Sequence, residues 1–371
     1  MTNFYKGDIA MLFNTHEIIR KNYTVLLEEP EIYVDNEKRG RSGHMTHGLA
    51  EFAPGQIINF NSSCSNVRLY GHSAFGFVEY RISRDAGKTY SDVYELEYSK
   101  KVLLDGINTI SVEKVVACDN GRLVAFLLRN TQVDEVSCEP WITPQYIISD
   151  DCGESWSEPK ELSPYEGRPY DALYHNGSIY VLHYCNPHFL GTKPEHVYRV
   201  YKSDDNGESF YESSIIPFDT TRRGYGSIIF DQKGVLHGYA YNEADECHMD
   251  HAVSDDFGKT WKVLEPCYLP HGIRNPQTGF IDGVFVLHGR AKEVEGFVLY
   301  TSEDATVWDE GCMLINKKGG AAYYSNNITL KDEDGAFLLI QFSHPYAEPA
   351  TNPYELSQVN VMHTRLRIKK H

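Results

Sequence analysis

The eight residues "SDDNGESF" at Ser203 recur as "SRDAGKTY" at Ser83, "SDDCGESW" at Ser149 and "SDDFGKTW" at Ser254. Each copy reads Ser, any residue, Asp, any residue, Gly, any residue, Ser or Thr, then an aromatic. The aspartates are Asp85, Asp151, Asp205 and Asp256, and a degraded copy without the glycine, "SEDATVW", begins at Ser302. A unit that returns every roughly 50–65 residues is one supersecondary element that cannot bury both of its faces alone. It must stack on its own copies.

Between the octets lie hairpin signals: "HGLAEFAPGQIINF", "KVVACDNGRLVAFLL", "DALYHNGSIYVLHY", "GSIIFDQKGVLHGYAY", "TGFIDGVFVLHG" and "ITLKDEDGAFLLIQF". Nearly every one sets an Asp or Asn with Gly between two β-rich runs, which is hairpin chemistry. No long segment carries a helical period. Units of about four strands stacked radially form a propeller. The expectation is an all-β, six-bladed β-propeller in a single domain spanning residues 1–371, with residues 1–39 as lead-in and closing strand. The octet suits a turn between outer strands: its Asp accepts turn N–H groups, its Gly takes positive φ, and its aromatic fills the gap between units. Its role is structural.

Composition narrows the partners. A formal charge of −17 argues against nucleic acid or a membrane surface, while leaving room for a local basic pocket. The 26 tyrosines favour strands and sugar-facing surfaces. The N-terminal apolar run is only "IAMLF", too short for a secretory or membrane segment. The 8 cysteines have no paired or metal-type spacing, so reduced thiols and a cytoplasmic location are expected.

The octet resembles the Asp-box of the sialidase superfamily, and the resemblance covers about residues 40–370. It implies one central pocket, where inner strands begin and second strands end. Counting back about nine positions from each hairpin Gly reaches Arg168, Tyr225 beside Arg223, and Arg274. It also reaches Tyr324, and Thr46 between His44 and His47. Blade two offers Ser111 and Glu113, and the second strands end near Arg129, Asn186, Asn242, Arg290 and His344.

Sialidases hold the substrate carboxylate with three arginines, attack with a tyrosine assisted by a glutamate, and use an aspartate as acid/base. "AYYSN" resembles the family's "AYS", which places Tyr324 at the nucleophile position and Arg290 at that of the third arginine. Elsewhere the chain departs from the family. "RSGHMTHG" stands where an arginine in "RIP" is expected, "FNSSCSN" where the aspartate belongs, and "FLLIQF" where "GLLYE" carries a glutamate. The resemblance therefore implies the fold with a rebuilt pocket.

The residues have their own chemistry. Arg168, Arg223 and Arg274 fall on consecutive units and, with Arg290, suit a carboxylate or sulfate on a sugar. Asp171 and Glu113 are the carboxylates for acid/base work, with the alternative that either pairs with a neighbouring arginine. His44 or His47 is a candidate general acid or base. The i, i+3 spacing in "HMTH" and "HMDH" points to opposite faces of a strand, against a metal. Tyr225 and Tyr241, with Asn242, are expected to contact the sugar. Together these predict an exo-acting glycosidase for a terminal acidic sugar of a glycan, without metal or cofactor. The alternatives are a polysaccharide lyase acting on uronic acids and a non-catalytic carbohydrate-binding propeller.

Overall fold

The computed structural model describes residues 11–45, 47–66, 75–131, 141–186, 196–294, 296–319, 322–347 and 358–371. Six antiparallel sheets stand around one axis as the blades of a propeller. Their inner strands are Leu49–Ala53, Asn108–Ala117, Gly167–His175, Arg223–Phe230, Arg274–Ile281 and Ser325–Asp332, numbered here as blades one to six. Each inner strand touches the next, and the sixth touches the first, so the ring closes. Within blade three the chain simply steps outward: Gly167–His175, Ser178–Cys185, Val197–Ser203 and Tyr211–Ile216.

Blade six joins the two ends of the chain. Its third strand, Val359–Lys370, pairs with Tyr23–Leu27, which in turn pairs with Glu17–Ile19. The register sets Tyr23 opposite Lys370 and Leu27 opposite Leu366. Buried aliphatic side chains such as Leu182, Ile228, Leu236 and Val286 fill the layers between blades. Each such burial contributes about 1.5–3 kcal/mol. Among the described residues no helix is long and apolar enough to cross a membrane.

The octets connect third strands to fourth strands. At the copy beginning at Ser254, the serine Oγ donates to Asp256 at 2.7 Å and accepts from the Gly258 N–H at 2.8 Å. Thr260 donates to the same aspartate from its N–H at 2.9 Å and from Oγ1 at 2.6 Å. Asp85, Asp151 and Asp205 hold the same bonds. The degraded copy keeps the Ser302–Asp304 bond at 3.0 Å. Each octet aromatic reaches the preceding blade: Trp156 lies against Phe60 and Tyr80, Phe210 against Phe126 and Tyr146, and Trp308 against Tyr239. Trp261 donates its indole N–H to Ser214 at 2.9 Å. The repeated octet is an inter-blade clamp.

Candidate functional site

The four middle blades break their inner pairing at the same level. In blade two Val112 and Lys114 face successive residues of the next strand, which leaves Glu113 unopposed. In blade three the residue left over is Tyr170, and in blade four it is Tyr225. Blade five leaves Asn275 and Pro276 between Arg274 and Gln277. A bulge sets two residues against one and turns a side chain out of the ordinary alternation. These five residues all line one cavity of about 30 Å³. Blade six adds Tyr324, just before its inner strand, and blade one adds His47.

Arg168 occupies the middle of this group and is 3 % exposed. Its Nε and Nη2 donate to Glu113 Oε2 at 3.0 and 2.8 Å. Its guanidinium lies 5.0 Å from the ring centre of Tyr170, 5.5 Å from Tyr225, 5.6 Å from Tyr324 and 5.7 Å from Trp141. Burial acts to lower the Arg168 pKa, but Glu113 and the surrounding phenols outweigh it and hold the group above its ordinary range. The charge therefore persists in a dry place.

The Tyr225 and Tyr324 hydroxyls are 2.7 Å apart. Burial, with Tyr324 beside it, pushes the Tyr225 phenol well above the ordinary value against the pull of Arg274, Arg290 and Arg168. Arg290 lies 5.3 Å from the Tyr324 ring centre, and Arg274 lies 5.4 Å from that of Tyr241. Arg274 and Arg290 face each other across the strand pair. Burial first, and the charge of Arg274 second, hold Arg290 below the ordinary arginine value. Two guanidiniums this close favour an anion beside them. His44 meets the Tyr324 ring edge-on, with centroids 4.7 Å apart.

A belt of polar side chains ties the inner strands together next to the cavity. Lys114 Nζ reaches Asp171 at 3.0 Å and Asn326 at 2.5 Å. Asp171 also accepts from Ala172 N–H at 2.9 Å, Ser227 Oγ at 2.6 Å and Ile228 N–H at 2.9 Å. The expected acid/base role of Asp171 is corrected here. Both its oxygens are engaged by protein donors, and it does not line the cavity. The bulge that aims Tyr170 inward turns Asp171 into the belt.

Arg223 and Asn242 also leave the expected set. Arg223 forms an ion pair with Asp250 and donates to the Thr221 carbonyl at 2.8 Å. Asn242 caps a turn, accepting from the N–H groups of Ala244 and Asp245 at 3.0 and 3.1 Å. Tyr241 is fully buried, donates to Glu246, and supports Arg274 with its ring. His47 lines the cavity, but its Nε2 faces the His44 carbonyl and its Nδ1 the Gln341 amide, both at 3.3 Å. Burial lowers the His47 pKa to about 3, so it stays neutral and braces His44. Arg129 turns to the Thr143 carbonyl at 3.0 Å. Thr46 lies outside the described residues.

Glu113, Arg168, Arg274, Arg290, Tyr225, Tyr324 and His44 do converge. Asn275 and Gln277 were not anticipated. The visible mark is proline in an inner strand, "RPYD" and "RNPQ", because proline is tolerated in sheets mainly at edges and bulges. Among the described residues no group of three His, Cys, Asp or Glu side chains could hold a metal ion. A wider groove of about 890 Å³ on blades one and two, walled by Tyr94, Glu95, Lys101 and Trp156, shares no residue with this cavity.

No family model and no curated protein sequence matches the chain. Solved structures do match. A protein of unknown function from Dyadobacter fermentans superimposes with a TM-score of 0.70 at 13 % identity, covering 93 % of this chain and 99 % of its own. A Hadza microbial sialidase gives 0.67 at 13 % identity, covering 92 % of this chain and 68 % of its own. The phage phi92 endosialidase gives 0.63 at 11 % identity, covering 90 % and 68 %. At such identities the likeness is one of fold: the chain is a sialidase-like six-bladed β-propeller.

Proposed function

We propose that the protein is an exo-acting glycosidase that removes a terminal acidic sugar, of sialic or uronic acid type, from a glycan. What carries this reading is the Tyr225–Tyr324 hydroxyl pair set among Arg168, Arg274 and Arg290. Tyr324 is the nucleophile. A neutral phenol attacks the anomeric carbon without bringing a second carboxylate against the substrate's own. Tyr225 directs its hydroxyl, and the guanidiniums near its ring favour the negative charge that develops on the phenol oxygen. Arg274 and Arg290 take the substrate carboxylate. His44, at the edge of the Tyr324 ring, takes the Tyr324 hydroxyl proton as the phenol oxygen bonds to the anomeric carbon and delivers it to the leaving oxygen as that bond breaks; water then releases the sugar from Tyr324 by the reverse route.

The test is release of a fluorophore from sialic-acid and glucuronic-acid glycosides by wild type and by Tyr324→Phe. Turnover by the wild type that collapses in the variant is expected. Turnover that survives the substitution overturns the reading.

One observation favours a second reading, a polysaccharide lyase. Glu113, the one carboxylate lining the cavity among the described residues, is tied to Arg168, so the usual pair of carboxylates for glycoside hydrolysis is lacking there. Tyr324, as its phenolate, would then take the proton α to a uronic carboxylate while the arginines stabilise the enolate-like charge; the bond to the β oxygen breaks as the double bond forms, and the proton passes from Tyr324 to that leaving oxygen. A product absorbing in the ultraviolet through its new double bond separates the two. Affinity without turnover on either substrate would indicate a binding module.

A further inference from the structure

We infer that this small cavity is a hydroxyl-reading subsite beside the bound sugar, in which Glu113 and Arg168, with Tyr170, Asn275 and Gln277, receive a free hydroxyl of the sugar rather than its acid group. This subsite rests on the reading above only so far as the cavity serves a sugar, there an acidic one. Five polar atoms at the cavity wall are buried and make no hydrogen bond: Glu113 Oε1, Arg168 Nη1, the Tyr170 hydroxyl, Asn275 Nδ2 and Gln277 Oε1. Leaving one such atom unmet costs about 1–3 kcal/mol. Five around one small space mark a site completed by a polar guest.

The chemistry of the guest follows from the set. Two of the atoms only accept, two only donate, and the Tyr170 hydroxyl does either. A carboxylate, which only accepts, would meet Glu113 as a like charge. An ammonium, which only donates, would meet the Arg168 guanidinium. A hydroxyl donates and accepts, and it carries no charge. The space of about 30 Å³ suits one such group. The side chains of Arg168 and Glu113 are only 3 % and 8 % exposed, and Glu113 offsets the Arg168 charge at 2.8 Å. Arg168 is thereby a hydroxyl donor, and anion binding falls to Arg274 and Arg290. Glu113, Tyr170 and Asn275 are all bulge residues, so the backbone irregularity of blades two, three and five exists to build this floor.

Calorimetric titration with four probes tests this: N-acetylneuraminic acid, methyl glucuronide, tetrahydropyran-2-carboxylate (ring and acid without hydroxyls) and methyl glucoside (hydroxyls without acid). One of the two sugar acids should bind about tenfold or more tighter than the hydroxyl-free acid. Glu113→Gln and Gln277→Met should each remove most of that advantage, and Gln277→Met, which leaves the Arg168 charge offset by Glu113, should leave affinity for tetrahydropyran-2-carboxylate unchanged. Gln277→Met keeps the Glu113–Arg168 ion pair, and the thermal transition of each variant reports its folding. Equal affinity for sugar acid and hydroxyl-free acid in the wild type overturns the subsite and leaves the acidic-sugar reading intact. So does wild-type affinity for the sugar acid in both variants. Methyl glucoside binding as tightly as the acids, and weakening in the variants, upholds the subsite and overturns the acidic-sugar reading. Binding of no probe overturns both.

Discussion

The hydroxyl groups of Tyr225 and Tyr324 stand 2.7 Å apart although 99 positions of sequence separate them. One residue is turned inward by a bulge in blade four, and the other enters ahead of the inner strand of blade six. Their surroundings differ: Tyr324 has Arg290 near its ring and His44 at its edge, whereas Tyr225 has Arg274 at 6.0 Å. Unequal roles follow. Tyr324→Phe should reduce kcat by about 10³-fold or more, because the covalent step is lost. Tyr225→Phe keeps the nucleophile and loses only its partner, so a fall of about 10–10²-fold in kcat with little change in KM is expected. Steady-state kinetics on the fluorogenic glycosides check both. Equal losses would mean that the two phenols act as one unit.

The Glu113–Arg168 pair makes a prediction about stability. Both side chains are buried, and the ion pair is 2.8 Å long. Removing one partner strands the other charge in a dry interior, at a cost of about 3–5 kcal/mol. Replacing both, as in Glu113→Gln with Arg168→Met, strands neither charge. The double variant should therefore lose much less than the sum of Glu113→Gln and Arg168→Met made singly in urea unfolding. Simple additivity would show that the two do not depend on each other.

How far this site could be read from sequence depended on local regularity. The octets and hairpins obey short-range rules, so blade number and turn position followed from them. Arg168, Arg274, Arg290 and Tyr324 followed too, because they sit where strands start or end at the pocket. Arg223 and Asp171 did not. Asp171 follows the bulge at Tyr170, and a bulge reverses which face the following residues present, so Asp171 enters the belt of Lys114 and Ser227. Arg223 precedes the bulge that turns Tyr225 into the cavity, and it meets Asp250 instead. The ion pairing of Glu113 joins blades two and three, and no local pattern reports a contact between blades.

Acid should weaken the fold in two stages. His47, His183, His251, His288 and His363 each have a pKa lowered to about 3, with burial the first cause. In the unfolded chain a histidine takes its proton near pH 6.5. The unfolded state thus binds more protons as pH falls below 6.5, and stability declines from there toward pH 3. The second stage comes from the octets. Burial acts to raise the pKa of Asp85 and Asp256, but the bonds from Thr89 and Thr260 outweigh it and bring both to about 2. Their contribution is complete above the ordinary value of 3.8 and is lost as pH falls toward 2. The urea midpoint should be flat near pH 7, decline below 6.5 and fall further below 4. His288→Gln should lessen the first stage alone, by its one histidine's share, and Asp256→Asn the second alone, by its one aspartate's share.

Gly167 and Gly177 give a controlled comparison within blade three. Both have positive φ, at 149° and 82°. At Gly177, in the hairpin turn, a Cβ would meet nothing within 4 Å, so Gly177→Ala carries only the backbone strain. That cost is about 1–2 kcal/mol. At Gly167 a Cβ would lie 2.0 Å from the Tyr184 carbonyl oxygen and 2.7 Å from His183 Nε2. Both belong to the paired strand, so the two strands must part. Arg168 is the next residue, and its two bonds to Glu113 depend on where that strand runs. Gly167→Ala should therefore cost clearly more stability than Gly177→Ala and should also weaken binding of the sugar acid, whereas Gly177→Ala leaves binding unchanged. Unfolding and titration of the two variants side by side decide it. A Gly167→Ala protein that loses stability but binds like wild type would mean that the strand yields without moving Arg168.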